Sequence, residues 1–487
     1  MSKNFFLTTT LPYVNAPLHM GHALEFVRAD TIARYKKLIG FDVYFSTGTD
    51  EHGLKIFEKA KEQGMSAQEF VDAGFETFKE QLKMFGVSED IHFIRTTDKK
   101  HIEAVQEFWN MVNDNGYIYK KNYEAKYCVG CESEKTDSEL VNGECPLHPG
   151  MELKNISEEN YFFKYSEFGN RLLELYDKNP NFVVPDFRLN EIKNFVKDGL
   201  QDFSISRLKE KMPWGIAVPG DDSQVIYVWF DALINYISTL GGPEKTENFE
   251  KYWMNGNPTQ YCGKDNTRFQ AAMWQAMLMA AFGDDKHCSH QIIVNGFITA
   301  EGGVRMSKSL GNGVNPHDVV KEYGVDALRY FLLREVGSFE DSPFTLERFK
   351  DAYNSGLANG LGNLVSRTMQ MVVSYNIDIS DIDKDNTIDK FPGIINSIER
   401  FDLNQAISQP FFTVNELDKL IQEEEPFKKI KIESEADRAR NVIFTVVQGL
   451  WHIATQLEPF MPETSRKIKS LIKENKKPEQ PLFLRKE

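Results

Sequence analysis

Residues 11–22 read LPYVNAPLHMGH and connect a predicted strand to a predicted helix. Before this stretch, residues 4–10 (NFFLTTT) are apolar and β-branched, which predicts a short buried strand. After it, residues 23–39 carry apolar side chains at helical spacing and are followed by a glycine, a common helix stop. The sequence therefore predicts a strand that leads into a helix, with His19 and His22 at or just before the first helical turn.

These two histidines stand where phosphate groups are commonly bound. The N-terminus of a helix offers unpaired N–H groups and the positive end of the helix dipole, which suits a polyphosphate. Imidazoles at this point add hydrogen-bond donors for charge that develops on a phosphoryl group. The alternative is that His19 and His22 only help to cap the helix, since so short a pattern also arises by chance.

A second strand is predicted at residues 41–45 (FDVYF), and a loop follows at residues 46–53 (STGTDEHG). A strand, a helix and a strand in this order predict a parallel βαβ unit, whose loops at the strand ends face a ligand crevice. Asp50 lies in such a loop, where its carboxylate can hold an ammonium group or a ribose hydroxyl. No G-x-G-x-x-G follows the first strand and no G-x-x-x-x-G-K-[ST] occurs, which disfavours the common dinucleotide and P-loop sites.

The pairs Cys128/Cys131 and Cys145/His148 have the spacing of a small tetrahedral zinc site. Each pair closes a tight knuckle, and turn residues surround both pairs. Four protein ligands would leave no open position, so we expect a structural site and not a catalytic one. The alternative is an incidental cysteine cluster in a reducing compartment.

Strands are predicted again at residues 224–230 (QVIYVWF), 259–262 and 290–294. The aromatic residues Trp229 and Tyr236 fall at the end of the first of these strands and in the helical turns that follow. This is a crevice position, although aromatic pairs are more often part of a core. The return to alternating strands and helices predicts that the cysteine segment is an insertion in one doubly wound domain.

Residues 301–312 (EGGVRMSKSLGN) place a basic, hydroxyl-bearing tip between glycines. This composition suits a mobile loop that closes over phosphates, with Lys308 as a movable point charge. The alternative is an exposed loop whose charge has no function.

Segments with helical periodicity replace strands from about Glu347 onward, at residues 357–373, 394–421 and 438–460. They predict an α-helical bundle that follows the α/β domain. Asn363 and Arg367 are four residues apart, so they share one helix face. The last 22 residues hold 8 basic and 3 acidic side chains, which can meet a phosphate backbone or can be a solvated helix face and tail.

Composition limits the class of protein. The chain has 487 residues and a formal charge of −15, which argues against indiscriminate coating of nucleic acid. No apolar run is long enough to cross a membrane, and no secretory signal precedes the first strand. Five cysteines make a poor disulfide framework. We expect a cytoplasmic protein with no membrane partner.

Taken together, the motifs resemble those of class I aminoacyl-tRNA synthetases, because HMGH at 19–22 is similar to their HIGH signature and RMSKS at 305–309 to their KMSKS loop. LPYVNAPLHMGH, STGTDEHG, YVWFDALINY, GKD and YGVDALRYFLLREV resemble the methionyl-tRNA synthetase family, and the resemblance covers essentially the whole chain. It implies an α/β fold, a doubly wound parallel (Rossmann-like) catalytic domain with a zinc-bearing connective insertion, followed by an α-helical bundle. The predicted ranges are 1–114 and 216–299 for the two halves of the catalytic domain, 115–215 for the insertion, 300–355 for the RMSKS loop and linking segment, and 356–487 for the anticodon-binding bundle.

The resemblance also implies an activity and its residues. The enzyme would activate L-methionine with ATP and Mg²⁺ and transfer it to tRNA(Met), releasing AMP and diphosphate. His19, His22 and Lys308 would be catalytic. The ATP site would comprise these three residues with Gly21, Gly263, Asp265 and Arg305, and the methionine site would comprise Leu11, Tyr13, Asp50, Trp229, Ala232, Tyr236 and Gln270. Cys128, Cys131, Cys145 and His148 would ligate one Zn²⁺, and Asn363, Arg367 and Phe427 would read the anticodon. The additional C-terminal dimerisation domain of some relatives has no counterpart, so we expect a monomer.

Four residues depart from the family pattern. Arg305 replaces the first lysine of the loop, and His148 replaces the fourth cysteine of many relatives. Phe427 stands where a tryptophan usually stacks on the first anticodon base, and Gln270 stands where a histidine usually lies near the methionine pocket. The alternatives to a synthetase are a catalytically silent tRNA-binding paralogue and a small-molecule nucleotidyltransferase. Intact His19, His22 and Lys308 argue against the first, and the helical bundle argues against the second.

Overall fold

The structure is a computed structural model that describes residues 3–131, 133–135, 139–304, 306, 313–384 and 387–487. Its strands are β1 Asn4–Thr9, β2 Asp42–Thr49, β3 His92–Arg95, β4 Ile118–Cys128, β5 Ser133–Lys135, β6 Lys154–Phe163, β7 Val183–Val184, β8 Phe203–Ser204, β9 Ser206–Leu208, β10 Ala217–Val218, β11 Asp221–Ile226, β12 Thr259–Gly263, β13 Gln291–Asn295, β14 Ile298–Thr299 and β15 Ser342–Pro343. Its helices are α1 Met20–Leu38, α2 Leu54–Glu62, α3 Ala67–Met84, α4 Lys99–Asp114, α5 Gly169–Lys178, α6 Asp186–Lys197, α7 Val228–Leu233, α8 Asn235–Ser238, α9 Trp274–Phe282, α10 Pro316–Tyr323, α11 Val325–Arg334, α12 Leu346–Ala352, α13 Asn363–Ser374, α14 Pro392–Glu399, α15 Leu403–Glu424, α16 Pro426–Lys429, α17 Ala436–Leu457 and α18 Pro462–Glu474. Wider π-type turns occupy Phe249–Met254, Phe269–Met273 and Tyr353–Gly362.

The chain forms two compact units. The first comprises Met1–Leu18, Asp42–Gln81 and Glu89–Val294, and the second comprises His19–Phe41, Leu82–Ser88 and Asn295–Glu487. None of the helices in the described ranges is long and apolar enough to cross a membrane.

A six-stranded sheet in the order β3-β2-β1-β12-β13-β7 organises the first unit. Both β2 and β12 run parallel to β1. The chain starts at β1 in the middle of the sheet and proceeds outward through β2 and β3. On the other side it adds first the edge strand β7, then β12 next to β1, and then β13 between β12 and β7. The strand order therefore reverses between β1 and β12, and in doubly wound sheets ligands bind beyond the carboxyl ends of the strands at this point.

The segment between the two halves of this sheet forms its own small sheets. Strands β5, β4, β6 and β8 make an antiparallel sheet that carries the cysteine pairs, and β10, β11 and β9 make another. This confirms the predicted insertion in a doubly wound α/β fold. The aromatic residues Phe108 of α4, Phe230 of α7 and Trp274 of α9 lie in the main core of the unit.

Three local predictions were wrong. Residues 46–49 continue β2 instead of forming a loop, because their hydroxyl groups find partners inside the unit: the Thr9 and Thr47 hydroxyls lie 2.6 Å apart. Residues 228–230 are helical, although the run of β-branched and aromatic residues favours a strand. The segment 394–421 is two helices, because Phe401 adopts a left-handed backbone (φ 59°) and the Asp402 side chain then caps α15.

Helices dominate the second unit, as the sequence predicts. Helix α1 belongs to it and is held by buried charges. Asp30 of α1 forms a buried ion pair with Arg329 of α11 (2.8 Å), and the Arg28 guanidinium donates to backbone carbonyls just beyond the end of α11. Arg329 also donates to the Phe460 carbonyl between α17 and α18. The helix that carries His22 is therefore anchored to the bundle by its own buried side chains.

Candidate active site

The two motif histidines cap helix α1 reciprocally. The Nδ1 atom of His19 accepts hydrogen bonds from the backbone N–H groups of Gly21 (3.1 Å) and His22 (3.3 Å), and Nδ1 of His22 accepts from the His19 N–H (3.2 Å). The two rings stack with centroids 3.7 Å apart. A Cβ atom at Gly21 would lie 3.0 Å from the His19 ring, so this glycine leaves room for the imidazole.

This capping fixes the chemistry of both rings. A ring nitrogen that accepts from a backbone N–H carries no proton, so each neutral ring carries its proton on Nε2. Burial, followed by the nearby His19, holds the pKa of His22 well below its ordinary value. At neutral pH His22 is therefore a neutral hydrogen-bond donor through Nε2, and not a cation.

Asp50 lies at the end of β2 and is joined to the segment that follows β1. Its N–H donates to the Pro12 carbonyl (3.1 Å), and its carbonyl accepts from the Val14 N–H (3.3 Å). Tyr13 and Asp50 form an isolated parallel bridge between these bonds. The two motifs LPYVN and TDEHG, 37 residues apart between Tyr13 and Asp50, are thus held side by side.

A buried cluster beside Asp50 was not predicted from the sequence. The Asp231 carboxylate lies 2.7 Å from Nδ1 of His52 and 2.8 Å from Nε2 of His101, and Nδ1 of His101 lies 2.8 Å from the Ser238 hydroxyl. Burial acts to raise the pKa of Asp231, but the interactions with His52 and His101 outweigh it and the net pKa lies below its ordinary value. The carboxylate therefore holds the loop that contains both Asp50 and His52.

The predicted aromatic residues Trp229 and Tyr236 contact two consecutive residues of the π-type turn Phe269–Met273. The Trp229 ring stacks on Phe269 with centroids 3.8 Å apart, and the next residue, Gln270, donates from Nε2 to the Tyr236 hydroxyl. Ala232 lies on α7 between Trp229 and Tyr236 and is buried.

The N-terminal segment reaches the same region. Tyr13 and Trp229 both pack on one apolar cluster, whose buried members are Tyr127, Val129, Tyr227 and Val228. Leu11 precedes Pro12, whose carbonyl binds the Asp50 N–H. Contacts thus connect Tyr13 with Asp50 and Gln270 with Tyr236, and Tyr13 and Trp229 share one apolar cluster.

Arg207 is a buried cation next to the aromatic cluster and was not predicted from the sequence. Its guanidinium lies over the Tyr227 ring (4.6 Å) and near the Tyr127 ring (5.4 Å), and it donates to the Ser204 hydroxyl and the Ser206 carbonyl. The residue is buried. No local pattern distinguishes a buried arginine in a short strand from an exposed one, so only the tertiary structure reveals this cation beside the aromatic cluster.

Of the other residues predicted to bind ATP, Gly263 and Asp265 are among the described residues. Gly263 ends β12, at the reversal point of the sheet, and a Cβ there would lie 2.9 Å from Oδ1 of Asp265. The Asp265 carboxylate therefore folds back over Gly263. Arg305 and Lys308 lie outside the described residues.

The predicted metal ligands converge. One ligand atom from each of Cys128, Cys131, Cys145 and His148 lies within 4.8 Å of the others. Sγ of Cys131 is 3.4 Å from Sγ of Cys145 and 3.2 Å from Nδ1 of His148, and Nδ1 is 3.7 Å from Sγ of Cys128. Metal–ligand bonds of about 2.0–2.3 Å in a tetrahedron place ligand atoms roughly 3.3–3.8 Å apart, so these residues fit a zinc ion.

This cluster lies next to the aromatic region. A Cβ at Gly130 would lie 2.5 Å from the His148 ring, which explains the glycine of the first pair. The Gly130 carbonyl accepts from Lys55 Nζ (3.3 Å), and the same Nζ lies 5.8 Å from the centre of the Tyr13 ring. The loop that carries the candidate metal ligands is therefore linked to the surroundings of Tyr13 through Lys55.

The anticodon candidates lie in the second unit. Asn363 and Arg367 are on helix α13, and Arg367 pairs with Asp418 of α15 (3.0 Å) while both side chains stay partly exposed. Phe427 is on the short helix α16, and its carbonyl accepts a hydrogen bond from the Tyr375 hydroxyl just after α13 (3.3 Å). These contacts fix α13, α15 and α16 against one another.

Comparison with known proteins identifies the family. The family model described as tRNA synthetases class I (M) matches residues 5–154 and 148–369. Methionine–tRNA ligase of Caldanaerobacter subterraneus subsp. tengcongensis is 42% identical over 479 residues, which are 96% of this chain and 74% of that protein. Methionine–tRNA ligase of Streptomyces coelicolor is 39% identical over 96% of this chain and 89% of its own length.

Solved structures give the same result. Mycobacterium tuberculosis methionyl-tRNA synthetase in complex with methionyl-adenylate superposes with a TM-score of 0.87 at 35% identity, over 96% of this chain and 94% of that one. The apo form of that enzyme gives a TM-score of 0.79 at 32% identity, over 97% and 92%. The chain therefore belongs to the class I tRNA synthetases, in the family of the methionine–tRNA ligases.

Proposed function

We propose that this protein activates L-methionine with ATP to methionyl-adenylate and transfers the methionyl group to tRNA(Met), with release of diphosphate and then AMP. The observation that carries the proposal is the similarity, over 96% of the chain, to an enzyme solved with methionyl-adenylate. The converging aromatic residues of the first unit support methionine as the amino acid, because a thioether side chain offers mainly polarizable surface.

Activation needs no covalent enzyme intermediate. The methionine carboxylate attacks the α-phosphorus of ATP, and the bond to the diphosphate leaving group breaks. The enzyme must align these groups and stabilise the charge that develops on the phosphoryl oxygens. Mg²⁺ bound with ATP supplies positive charge to the phosphates.

His19 and His22 are proposed to bind those phosphates through Nε2. Because Nδ1 of each ring accepts a backbone hydrogen bond, a neutral ring can donate only from Nε2. Gly21 would let the His19 ring lie close to the helix N-terminus, and Arg305 and Lys308 would add charge from the RMSKS loop. Gly263 and Asp265 would contact the nucleoside at the reversal point of the sheet.

Asp50 is proposed to bind the methionine ammonium group. It is almost completely buried, at 5% exposure, and the bonds to Pro12 and Val14 fix its backbone. A buried carboxylate pays a large desolvation cost, which a bound ammonium group would offset. The walls of the side-chain pocket would be Leu11, Tyr13, Trp229, Ala232, Tyr236 and Gln270.

Zn²⁺ is proposed as a structural ion held by Cys128, Cys131, Cys145 and His148. Burial, followed by the hydrogen bond with Cys145, raises the pKa of the Cys131 thiol to about 12. A divalent cation would reverse this preference, since the thiolate is the form that binds metal. The ion would brace the loop next to Tyr13 and take no part in the chemical steps.

The helical bundle is proposed to read the anticodon through Asn363, Arg367 and Phe427. Arg367 is already oriented by Asp418, so its guanidinium is held with part of its surface exposed. The Phe427 ring would stack on a base, over less area than the tryptophan of many relatives.

The five domain ranges, the monomeric state and the cytoplasmic location expected from the sequence stay predictions.

ATP–pyrophosphate exchange over a panel of amino acids, with and without tRNA, tests the proposal. Exchange that depends on methionine and proceeds without tRNA is the expected result. Exchange with no dependence on any amino acid would instead support a small-molecule nucleotidyltransferase, and no exchange with retained tRNA binding would support a silent paralogue.

A further inference from the structure

The loop that carries Asp50 is buried and lies between β2 and α2. Asp50 and His52 are each 5% exposed, and Glu51 between them is completely buried. The backbone groups of such a loop are removed from water, so they need partners inside the protein. The backbone of Asp50 finds them in Pro12 and Val14, in the segment after β1. The partners of the next residues decide how firmly the Asp50 side chain is held in place.

Trp214 binds this loop on both sides of His52. It lies between β9 and β10, in the segment inserted between the two halves of the main sheet. Its indole Nε1 donates to the Glu51 carbonyl (2.6 Å), and its own carbonyl accepts from the Gly53 N–H (3.2 Å). An indole N–H can only donate and a carbonyl can only accept, so each bond has one possible direction. These two hydrogen bonds form the Trp214 clamp.

Aromatic and apolar contacts hold the indole in this position. The His52 ring lies beside it, with centroids 5.6 Å apart. Trp214 and Tyr13 both pack against one apolar cluster of helices α2 and α3, whose buried members are Ile56, Ala60, Ala67, Phe70 and Val71. Tyr13 in turn forms the isolated bridge with Asp50. The indole is therefore fixed by packing as well as by its hydrogen bonds, next to both segments that hold Asp50.

We propose that Trp214 is a positioning residue for the ammonium-binding site: its clamp holds the peptide that follows Asp50, so that the carboxylate is presented to the ammonium group of the amino acid. The inference rests on the proposed function, in which Asp50 binds that group. The attraction between two charges in a buried site depends on their separation and alignment. Apolar contacts with the substrate side chain are non-directional and depend less on the position of this loop. A segment outside the doubly wound sheet thereby acts on ammonium binding.

The test compares two competitive ligands that share the methionine side chain. L-Methioninol keeps the ammonium group and lacks the carboxylate, whereas γ-(methylthio)butyrate keeps the carboxylate and lacks the ammonium group. Trp214→Phe removes the indole N–H and keeps an aromatic ring for the apolar cluster. In ATP–pyrophosphate exchange, this variant should raise the inhibition constant of methioninol about fivefold, the effect of losing about one hydrogen bond, and change that of the butyrate by less than about twofold. Inhibition constants do not depend on the fraction of protein that is folded.

Trp253→Phe is the matched control. Trp253 also donates from Nε1 to a backbone carbonyl, that of His287 (2.8 Å), in the same unit but outside this loop. Its replacement removes the same kind of hydrogen bond and the same part of an indole. Because the effects of separate sites are independent, both inhibition constants should stay within about twofold of the wild type, whatever the variant does to stability.

Hydrogen exchange in the wild-type protein tests the same coupling without a substitution. If the clamped loop binds the ammonium group better, a ligand with an ammonium group must in turn stabilise the clamp, because coupling between two equilibria is reciprocal. The Gly53 N–H reports the clamp, since it donates to the Trp214 carbonyl. Saturating methioninol should slow its exchange about fivefold more than saturating γ-(methylthio)butyrate does.

A joint rise of both inhibition constants in Trp214→Phe, no rise of either, or the same selective rise in Trp253→Phe would overturn the proposal. Equal protection of the Gly53 N–H by the two ligands would also overturn it. A wild-type protein that binds γ-(methylthio)butyrate as tightly as methioninol would instead refute Asp50 as the ammonium site, and one without methionine-dependent exchange would refute the proposed function itself.

Discussion

Asp231 binds the loop of Asp50 through His52 and binds helix α4 through His101, so its replacement is the sharpest test of how that loop is held. Asp231→Asn keeps the size of the side chain but removes the charge. A hydrogen bond to a charged group contributes about 1.5–3 kcal/mol, and Asp231 receives one from His52 and one from His101. The side-chain amide of this variant can accept a hydrogen bond from one histidine but presents an N–H donor to the other. We therefore expect the free energy of local opening to fall by about 3 kcal/mol.

Native-state hydrogen exchange measures this loss where it should occur. The Glu51 N–H donates to the Thr96 hydroxyl (2.9 Å), and its exchange reports opening of the loop between Asp50 and His52. Asp221→Asn is the matched control: Asp221 is a hydrogen-bonded carboxylate in the same unit, but its partner Lys120 is exposed. The control should change the opening free energy by less than about 1 kcal/mol. The methionine KM should rise about tenfold in Asp231→Asn, since the loop that carries Asp50 loosens.

The pH dependence has a definite sign. The folded-state pKa of Asp231 is lowered, so its stabilisation is present above the ordinary aspartate pKa of about 3.9 and is lost as pH falls through the lower folded-state value. The difference between wild type and Asp231→Asn should shrink below about pH 4, where the Asp231 carboxylate becomes protonated. Unchanged exchange at Glu51 together with an unchanged methionine KM would show that Asp231 does not hold this loop.

Three other variants test separate parts of the proposal. Cys131→Ser should reduce bound zinc from about one per chain, lower the melting temperature and raise the methionine KM; metal analysis and calorimetry check this, and unchanged melting without zinc would contradict it. Lys308→Ala should slow adenylate formation in stopped flow far more than it weakens equilibrium methionine binding, because the loop would contact phosphate only; equal losses would count against that role. Arg367→Ala should impair tRNA aminoacylation while methionine-dependent exchange stays nearly intact, and a parallel fall in both would exclude a role confined to RNA.

The local pattern of apolar, polar and capping residues was sufficient to predict much of the secondary structure. The strand 4–9, the helix that begins after His19 and the helices of the bundle follow from periodicity and capping, and the structure has them near the predicted bounds. The prediction failed at residues 228–230, where β-branched and aromatic residues favour a strand but the chain is helical. The next residue, Asp231, makes tertiary hydrogen bonds with His52 and His101, which no local pattern reports.

The residues of the candidate site likewise include some that the sequence predicts and some that only the tertiary structure reveals. Short spacings predicted the four candidate metal ligands, because two residues three positions apart are brought together by one tight turn. The two pairs also converge in the structure. The pocket residues came from resemblance and not from local physics. The contact of Gln270 with Tyr236, the Asp231 cluster and the buried Arg207 required the tertiary structure, since their partners lie far away in the sequence.

The most direct measurement of the central claim is the identity of the amino acid esterified to tRNA. Purified protein is incubated with ATP, Mg²⁺, bulk tRNA and an equimolar mixture of the twenty amino acids, and the aminoacylated tRNA species are identified by mass spectrometry. We expect methionine on tRNA(Met) and no other charged species above the level without enzyme. Another amino acid on any tRNA, or methionyl-adenylate formed without any charged tRNA, would contradict it.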